Sequence, residues 1–196
     1  MPDFQVEPFG DRSFVVRFAS EPSAALTAIL AGLAGTAARL DGVVDACPGL
    51  TTVLVETDGR EPGVVAAALP ALMATLAPME SKLHEVEVLY DGEDLEWVCR
   101  HLGLAQEAVI ALHSEPVYDV RLLGSPGFVY LSDVVAEIAV PRLSEPRQMV
   151  PAGSVGIGGR QAGIYGRGRP GGWRIIARAA EVPMVIPGDR VKFVPR

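Results

Sequence analysis

Hydrophobic and polar residues alternate with a period of two near the start of the chain. Phe4 and Val6 are separated by polar neighbours, and the same alternation resumes at Phe14 and continues to Phe18. Because successive side chains of a strand point to opposite faces, this pattern predicts two half-buried strands. The intervening Phe9-Gly10-Asp11 supplies a turn, so the first element is predicted to be a hairpin.

The pattern then becomes helical. An Ala- and Leu-rich stretch from Ser23 to Leu40 predicts a helix, with Ser20 as its N-cap and Asp41-Gly42 as its end. The next patterns predict two strands and a second helix, at residues 43–47, 50–57 and 62–76. The resulting order ββαββα predicts a small two-layer α+β domain over residues 1–80.

The remaining residues, 81–196, predict a second and larger domain. Residues 84–90 alternate as a strand, and two helices are expected next, at 93–102 and 105–112. The first of these is expected to be capped by Asp91-Gly92 and closed by Gly103. From Val117 onward, short β-branched segments lie between Gly and Pro residues, which favours a compact barrel or sandwich with long loops.

Three features bear on location and on metal binding. The longest apolar run, residues 64–79, contains Pro70 and is too short to cross a bilayer, so a buried helix is expected. The first residues lack the basic and apolar regions of a signal peptide, which predicts a cytoplasmic protein without a membrane partner. Cys47 and Cys99 lack zinc-type spacing, so we expect two buried, reduced thiols and no metal site.

Charge is distributed unevenly along the chain. The total is 17 Lys and Arg against 24 Asp and Glu, a net charge of −7, which argues against a general nucleic-acid binder. Residues 1–80 contain 4 basic and 10 acidic side chains, residues 81–140 contain 3 and 11, and residues 141–196 contain 10 and 3. The last segment therefore provides an Arg-rich field for an anionic ligand or an acidic partner surface.

Common catalytic motifs are missing from the sequence. The glycine-rich stretch from Gly153 to Gly172 contains neither a phosphate-loop pattern nor a complete Gly-x-Gly-x-x-Gly. The first glycine of Gly-x-Ser-x-Gly is missing before both Ser125 and Ser154, where Leu123 and Ala152 stand, which argues against a serine hydrolase. The sequence therefore shows no nucleotide motif and no nucleophile elbow.

Several single residues are nevertheless candidates for ligand contacts. Arg142 and Arg147 each follow a proline, and a rigidly held guanidinium suits a carboxylate or a phosphate, although solvated loop arginines remain an alternative. His113 ends a helix, where it is a dipole partner, a surface residue or a ligand contact. Gln161 and Tyr165 need polar partners if they are buried.

A series of motifs follows in one order along the C-terminal part. In addition to His113 and Tyr118, these are Gly124-Ser125-Pro126-Gly127-Phe128-Val129-Tyr130-Leu131, Pro141-Arg142, Pro146-Arg147, Val150-Pro151-Ala152-Gly153-Ser154-Val155, Gly159-Arg160-Gln161, Tyr165, Pro170-Gly171-Gly172-Trp173 and Pro187-Gly188-Asp189-Arg190-Val191. They resemble the allophanate hydrolase subunit 1 family, also called carboxyltransferase domain subdomains C and D. That family includes the 5-oxoprolinase subunit designated B and the Kip-type histidine-kinase inhibitor. The resemblance covers about residues 84–196 and extends more weakly to the rest.

The resemblance implies an α+β protein with a cyclophilin-like β-barrel as its C-terminal domain. It also implies a subunit 2 partner and, in many bacteria, a third LamB/YcsF-type subunit, which together open 5-oxoproline to glutamate with ATP and water. We expect no activity from this chain alone and expect ATP to be held at least partly by the partner. Allophanate or a related amide is an alternative substrate. A Kip-type kinase inhibitor or another regulatory binding protein without catalysis is the alternative function.

Candidate roles follow from this resemblance and from side-chain chemistry. Arg142 and Arg147 are candidates for clamping an anion, His113 for proton transfer or hydrogen bonding, and Gln161 and Tyr165 for orienting a bound group. The loops expected to bind substrate or ATP contain Pro126, Gly127, Phe128, Gly153, Ser154, Gly171, Gly172 and Trp173. Departures from the usual family pattern include a shorter loop at residues 124–128, and Gly166 and Arg169 where Pro and Ser are usual.

Overall fold

A computed structural model of the chain describes residues 3–59, 62–76 and 80–196. Two compact units are present, Met1–Glu80 and Ser81–Arg196. Along the chain the helices and strands are β1 Phe4–Pro8, β2 Ser13–Phe18, α1 Ala24–Ala37, β3 Val43–Pro48, β4 Thr52–Thr57, α2 Pro62–Ala74, β5 Leu83–Leu89, α3 Leu95–Leu102, α4 Gln106–Ser114, β6 Val117–Gly124, β7 Phe128–Asp133, a 3₁₀ helix Ala136–Ile138, β8 Arg147–Val150, β9 Ser154–Gly158, β10 Gln161–Tyr165, β11 Arg169–Gly171, β12 Arg174–Ala179 and β13 Arg190–Pro195. The predicted α+β fold class is confirmed.

The first unit contains an antiparallel sheet in the order β1-β2-β4-β3, formed by the strands that the structure describes there. Buried residues recur at every second position of β2 and β4, and at every third or fourth position of α1. Phe14, Val53 and Leu30 are fully buried in the shared core of this unit. The alternation and the helical spacing therefore place one face of the sheet against α1 and α2, as the order ββαββα predicted.

Two details of this unit differ from the sequence-based expectation. The N-cap of α1 is Ser23 and not Ser20, because the Ser23 hydroxyl accepts the Leu26 N–H at 3.1 Å. Cys47 is exposed rather than buried, since it lies on the edge strand β3. The apolar run at 64–79 forms part of α2 as expected, and its last residues, 77–79, lie outside the described residues.

The second unit is a closed barrel in the strand order β10-β7-β6-β13-β5-β12-β9, as far as the described residues show. Neighbouring strands are antiparallel except β13 and β5, which pair in parallel. Strands β8 and β11 form a separate two-stranded sheet. The barrel core is aliphatic, with Val120, Leu131 and Ile176 among its fully buried residues.

Helices α3 and α4 precede β6 and pack against the barrel strands β12 and β13. Helix α3 begins at Leu95, later than expected, and ends at Gly103, whose φ of 68° is a left-handed conformation that glycine adopts without strain. Cys99, in this helix, is partly exposed. Among the described residues, no helix is both long enough and apolar enough to cross a membrane.

Candidate functional site

The barrel unit contains a cleft of about 190 Å³ near the β8–β11 sheet. We call it the aromatic cleft, because four of its residues are aromatic and pack against one another. Its lining residues are Phe128, Tyr130, Arg142, Leu143, Pro146, Tyr165, Arg169, Pro170, Gly171, Gly172 and Trp173. The cleft therefore brings together residues that are far apart in the sequence.

Strand register places the aromatic side chains together. Phe128 begins β7 and faces Tyr165 at the end of β10, while Tyr130 lies two residues further along the same strand. The ring centroids of Phe128 lie 4.4 Å from Tyr130, 4.7 Å from Tyr165 and 4.9 Å from Trp173. Such tilted and edge-to-face contacts are favourable and hold each ring in one orientation.

Glycines in the neighbouring strands make room for these rings. A Cβ added at Gly158 would lie 2.6 Å from the indole of Trp173, and one added at Gly163 would lie 2.6 Å from the ring of Phe128. No side chain at either position fits without displacing a ring. Gly158 and Gly163, within the glycine-rich stretch 153–172, thus serve aromatic packing in the cleft.

The Tyr165 hydroxyl reaches the inner wall of the cleft. Burial raises the pKa of Tyr165, while a backbone hydrogen bond from Trp173 and the charges of Arg169 and Arg147 act in the opposite direction. Its phenol therefore stays protonated at neutral pH and can donate one hydrogen bond.

Guanidinium groups flank the aromatic walls. The Arg142 Cζ lies 5.1 Å from the centroid of the Trp173 ring, and the Arg169 Cζ lies 5.9 Å from that of Phe128. Arg169 also donates from Nη1 to the Ser125 carbonyl. These cation–π contacts give the rim of the cleft a fixed positive charge.

A buried carboxylate anchors the wall that contains Arg142. Asp94 accepts the Ile175 N–H at 2.7 Å and two guanidinium contacts, from Arg147 Nη2 at 2.9 Å and from Arg174 Nη1 at 3.4 Å. Arg147 directly follows residues 141–146, the segment that contains Arg142. The Arg147 Nε also pairs with the Glu93 carboxylate at 2.7 Å. The Asp94 side chain therefore ties α3, β12 and the start of β8 together at the base of this wall.

This network includes Arg147, which the sequence analysis named as a candidate anion clamp. The residue does not line the aromatic cleft, and its guanidinium is already paired with two carboxylates. Burial lowers the pKa of Arg147, but the hydrogen bond and charge of Asp94, with those of Glu93, outweigh it and raise the pKa overall. In the structure Arg147 therefore helps to hold the start of β8 to the residues that precede α3, and its role as an anion clamp stays a prediction.

The structure also places His113 in the core, where its predicted catalytic role has no geometric support. The side chain is fully buried, stacks on Phe193 at 4.6 Å and shares a 2.7 Å hydrogen bond with the Tyr90 hydroxyl. Burial lowers the pKa of His113 to about 3, so the ring is neutral at physiological pH. Its main chain accepts a hydrogen bond from the Tyr118 hydroxyl at 2.9 Å.

The other predicted loop residues divide between the cleft and its surroundings. The aromatic cleft is lined by Phe128, Arg142, Tyr165, Gly171, Gly172 and Trp173, all named from the sequence. Gln161 opens β10 opposite Asp133, at the other end of the strand from Tyr165. The remaining four, Pro126, Gly127, Gly153 and Ser154, do not line the cleft. Gly127 supports it indirectly, since its carbonyl accepts the Gly166 N–H at 3.1 Å.

Three residues that line or support the aromatic cleft were not assigned a role from the sequence. Tyr130 follows Phe128 by two positions, so strand periodicity alone places both on one face. Arg169 stood out only as a departure from a family pattern, and nothing in the sequence linked it to Phe128. Asp94 was assigned to a helix without a role of its own, because its partners Arg147 and Arg174 lie far along the chain.

The chemistry of the cleft favours a small anion over a nucleotide or a metal. Its volume is below the roughly 300–1,000 Å³ of sites that enclose drug-sized ligands, so the cleft is too small to enclose a whole nucleotide. A wider groove of about 770 Å³ elsewhere on the unit has Glu85, Glu87 and Glu181 in its lining, which disfavours an anion there. Within residues 3–59, 62–76 and 80–196, no group of three His, Cys, Asp or Glu side chains is placed to hold a metal.

Comparison with known proteins extends the resemblance over both units. Residues 4–186 match the family described as carboxyltransferase domain, subdomain C and D. A 5-oxoprolinase subunit of Escherichia coli O157:H7, designated B, is 39% identical over 80% of this chain and 80% of its own length. The protein of the same name from Bacillus subtilis (strain 168) is 33% identical over 97% of this chain and 92% of its own length.

A solved structure shows the same fold. The crystal structure of TTHA0988 superposes with a TM-score of 0.81 at 37% sequence identity and covers 94% of this chain. This chain spans 40% of the length of TTHA0988, so it corresponds to one part of that larger protein. The match supports the fold of this chain.

Proposed function

Because the chain belongs to the carboxyltransferase domain, subdomain C and D family, we propose that it is a subunit of an ATP-dependent 5-oxoprolinase complex. The observation that carries this proposal is its similarity to proteins named as a 5-oxoprolinase subunit, at 33% identity over 97% of the chain in one case. The complex converts 5-oxoproline to glutamate with ATP and water. The term "subunit" in the names of these relatives supports a multi-subunit assembly.

In this proposal the chain binds and orients the lactam. The aromatic cleft has the size of a small ring, and the Tyr165 hydroxyl provides a hydrogen-bond donor at its wall. The carbonyl of an unstrained amide needs activation before water attacks it, and fixed donors next to the carbonyl oxygen stabilise the negative charge that develops there. The cleft thus holds the lactam in the orientation in which it reacts.

ATP is expected to bind mainly outside this cleft. The sequence lacks a phosphate-loop motif, and the volume of the cleft excludes a nucleotide. We therefore propose that a subunit 2 partner, together with a LamB/YcsF-type third subunit, supplies most of the ATP site. An isolated chain is expected to have no 5-oxoprolinase activity.

The test is glutamate release from 5-oxoproline and ATP by the chain co-purified with its subunit 2 partner and the third subunit, with each component omitted in turn. Activity that requires every component supports the proposal. Turnover by the isolated chain contradicts the shared site. A stable complex that hydrolyses allophanate but not 5-oxoproline contradicts the substrate, and inhibition of a histidine kinase without amide hydrolysis would indicate a regulatory protein.

A further inference from the structure

We propose that the aromatic cleft binds a small monocarboxylate with a flat body, and that Arg142 and Arg169 pair with the carboxylate. The rings of Phe128, Tyr130 and Trp173 form the surface for the flat body. The proposal rests on the proposed 5-oxoprolinase function only for the identity of the ligand, a lactam ring that carries a carboxylate. It assigns recognition of the carboxylate to two residues of this chain.

The positive charge on these two arginines is not neutralised by a carboxylate of the described residues. Neither one has a carboxylate partner among the residues that the structure describes, although both line the cleft. Other arginines of the basic C-terminal segment are paired with carboxylates, namely Arg147, Arg160, Arg174 and Arg178. Arg142 and Arg169 therefore bring positive charge that is not neutralised to the place where a ligand can enter, and a bound anion would complete the pairing.

The Arg142 guanidinium lies against an aromatic wall of the cleft. Its Cζ lies over the Trp173 ring, 5.1 Å from the ring centroid, in a cation–π contact. A guanidinium carries its N–H donors in a planar fork that suits two parallel hydrogen bonds with a carboxylate. Arg169 is fixed similarly, since one of its N–H groups donates to Ser125 and its Cζ lies near Phe128.

The size and shape of the cleft also favour a cyclic carboxylate. A cleft of about 190 Å³ with aromatic walls suits a ring-sized molecule that buries a flat apolar face. Inorganic phosphate satisfies the charge but leaves the aromatic surface uncovered. A neutral lactam covers that surface but leaves both guanidinium groups without an anion. A cyclic carboxylate satisfies both requirements.

Fluorine NMR of the full chain labelled with 5-fluorotryptophan tests this directly. The sequence contains two tryptophans, and Trp173 lines the cleft while Trp97 stacks on His101 outside it. A ligand in the cleft is expected to shift the Trp173 signal and leave the Trp97 signal in place. The probes are 5-oxoproline, cyclopentanecarboxylate, the neutral lactam 2-pyrrolidone, and inorganic phosphate.

Arg142→Gln and Arg169→Gln are the informative variants. Arg142 is exposed, so its replacement is compatible with folding, and Arg167→Gln is the matched control because Arg167 is exposed and does not line the cleft. Hydrogen bonds to charged groups contribute about 1.5–3 kcal/mol, which corresponds to at least about tenfold in Kd. We expect Arg142→Gln and Arg169→Gln each to weaken 5-oxoproline binding by that factor and Arg167→Gln to leave it unchanged.

The outcomes separate this proposal from the proposed function. Binding of both carboxylates but not of 2-pyrrolidone or phosphate, with loss in the two cleft variants, supports the inference. Equal binding of 2-pyrrolidone or of phosphate, or no shift of the Trp173 signal by any probe, overturns it. A complex that turns over 5-oxoproline with an unchanged KM in both variants also overturns it, while the 5-oxoprolinase function stands. Carboxylate binding without turnover in the assembled complex leaves this inference standing and refutes the function.

Discussion

Replacing Asp94 by Asn removes one negative charge from the junction of α3, β8 and β12 and changes the side-chain shape very little. The Asp94 side chain is 7% exposed and meets the guanidinium groups of Arg147 and Arg174, which are 23% and 14% exposed. The carboxylate also accepts the Ile175 N–H. The substitution therefore leaves two partly buried cations without their shared counter-charge.

The expected loss of stability follows from this burial. Removing one partner of a buried ion pair costs about 3–5 kcal/mol. Partial exposure of both arginines and the remaining Asn oxygen reduce the loss, so we expect a decrease of about 2–3 kcal/mol in the free energy of unfolding. For a chain of this length, that corresponds to a fall in Tm of roughly 5–10 °C.

Tryptophan fluorescence in a urea titration measures this loss in the barrel unit, because both tryptophans lie in Ser81–Arg196. Glu93→Gln is the matched control. Glu93 pairs with the same Arg147 guanidinium at 2.7 Å, but its side chain is 57% exposed, so its removal should cost no more than about 1 kcal/mol. Equal losses in Glu93→Gln and Asp94→Asn would refute the argument that burial makes Asp94 the stronger anchor.

Three further predictions concern other parts of the structure. Burial holds the pKa of His113 near 3 in the folded chain, against 6.5 in the unfolded chain. The free energy of unfolding therefore falls below pH 6.5, by up to about 1.4 kcal/mol per pH unit. In His113→Gln the urea midpoint should fall less steeply with decreasing pH than in the unsubstituted chain. Gly166→Ala should lower Tm, because its Cβ would lie 2.1 Å from the Gly127 carbonyl oxygen, whereas Gly35→Ala in α1 meets no atom within 4 Å and should raise it slightly. Asp189→Asn should lower the fluorescence-monitored urea midpoint by an amount that shrinks at acidic pH. Burial raises the pKa of Asp189, but two backbone N–H donors and a histidine outweigh it and lower the pKa overall, so that stabilisation is lost as pH falls through the folded-state value.

Local patterns predicted the secondary structure because they depend on neighbours in the sequence. The alternation at Phe14 to Phe18 and the helical stretch after Ser23 each correspond to one element of the structure. Short-range periodicity and turn residues were sufficient for these parts of the fold. The family resemblance, and not local periodicity, singled out Phe128, Tyr165 and Trp173, and the structure brings all three into one cleft.

Contacts across long stretches of sequence were beyond such reasoning. The pairing of Asp94 with Arg147 and Arg174 joins three elements, and no local pattern distinguishes it from a surface carboxylate at a helix start. His113 looked like a candidate base because helix periodicity did not show that β13 would cover it with Phe193. Burial of a polar side chain depends on the tertiary structure that surrounds it.

The parallel pairing of β13 with β5 has a consequence for how the barrel forms during synthesis. β13 lies between β5 and β6, so both of those strands keep an unpaired edge until the residues from Arg190 onward leave the ribosome. Translation proceeds at about 5–20 residues per second, so a nascent chain with all the other barrel strands waits in an open form that can pair wrongly with another chain. Chaperone binding to ribosome-bound chains that stop before β13 would therefore be expected to exceed binding to chains that include it.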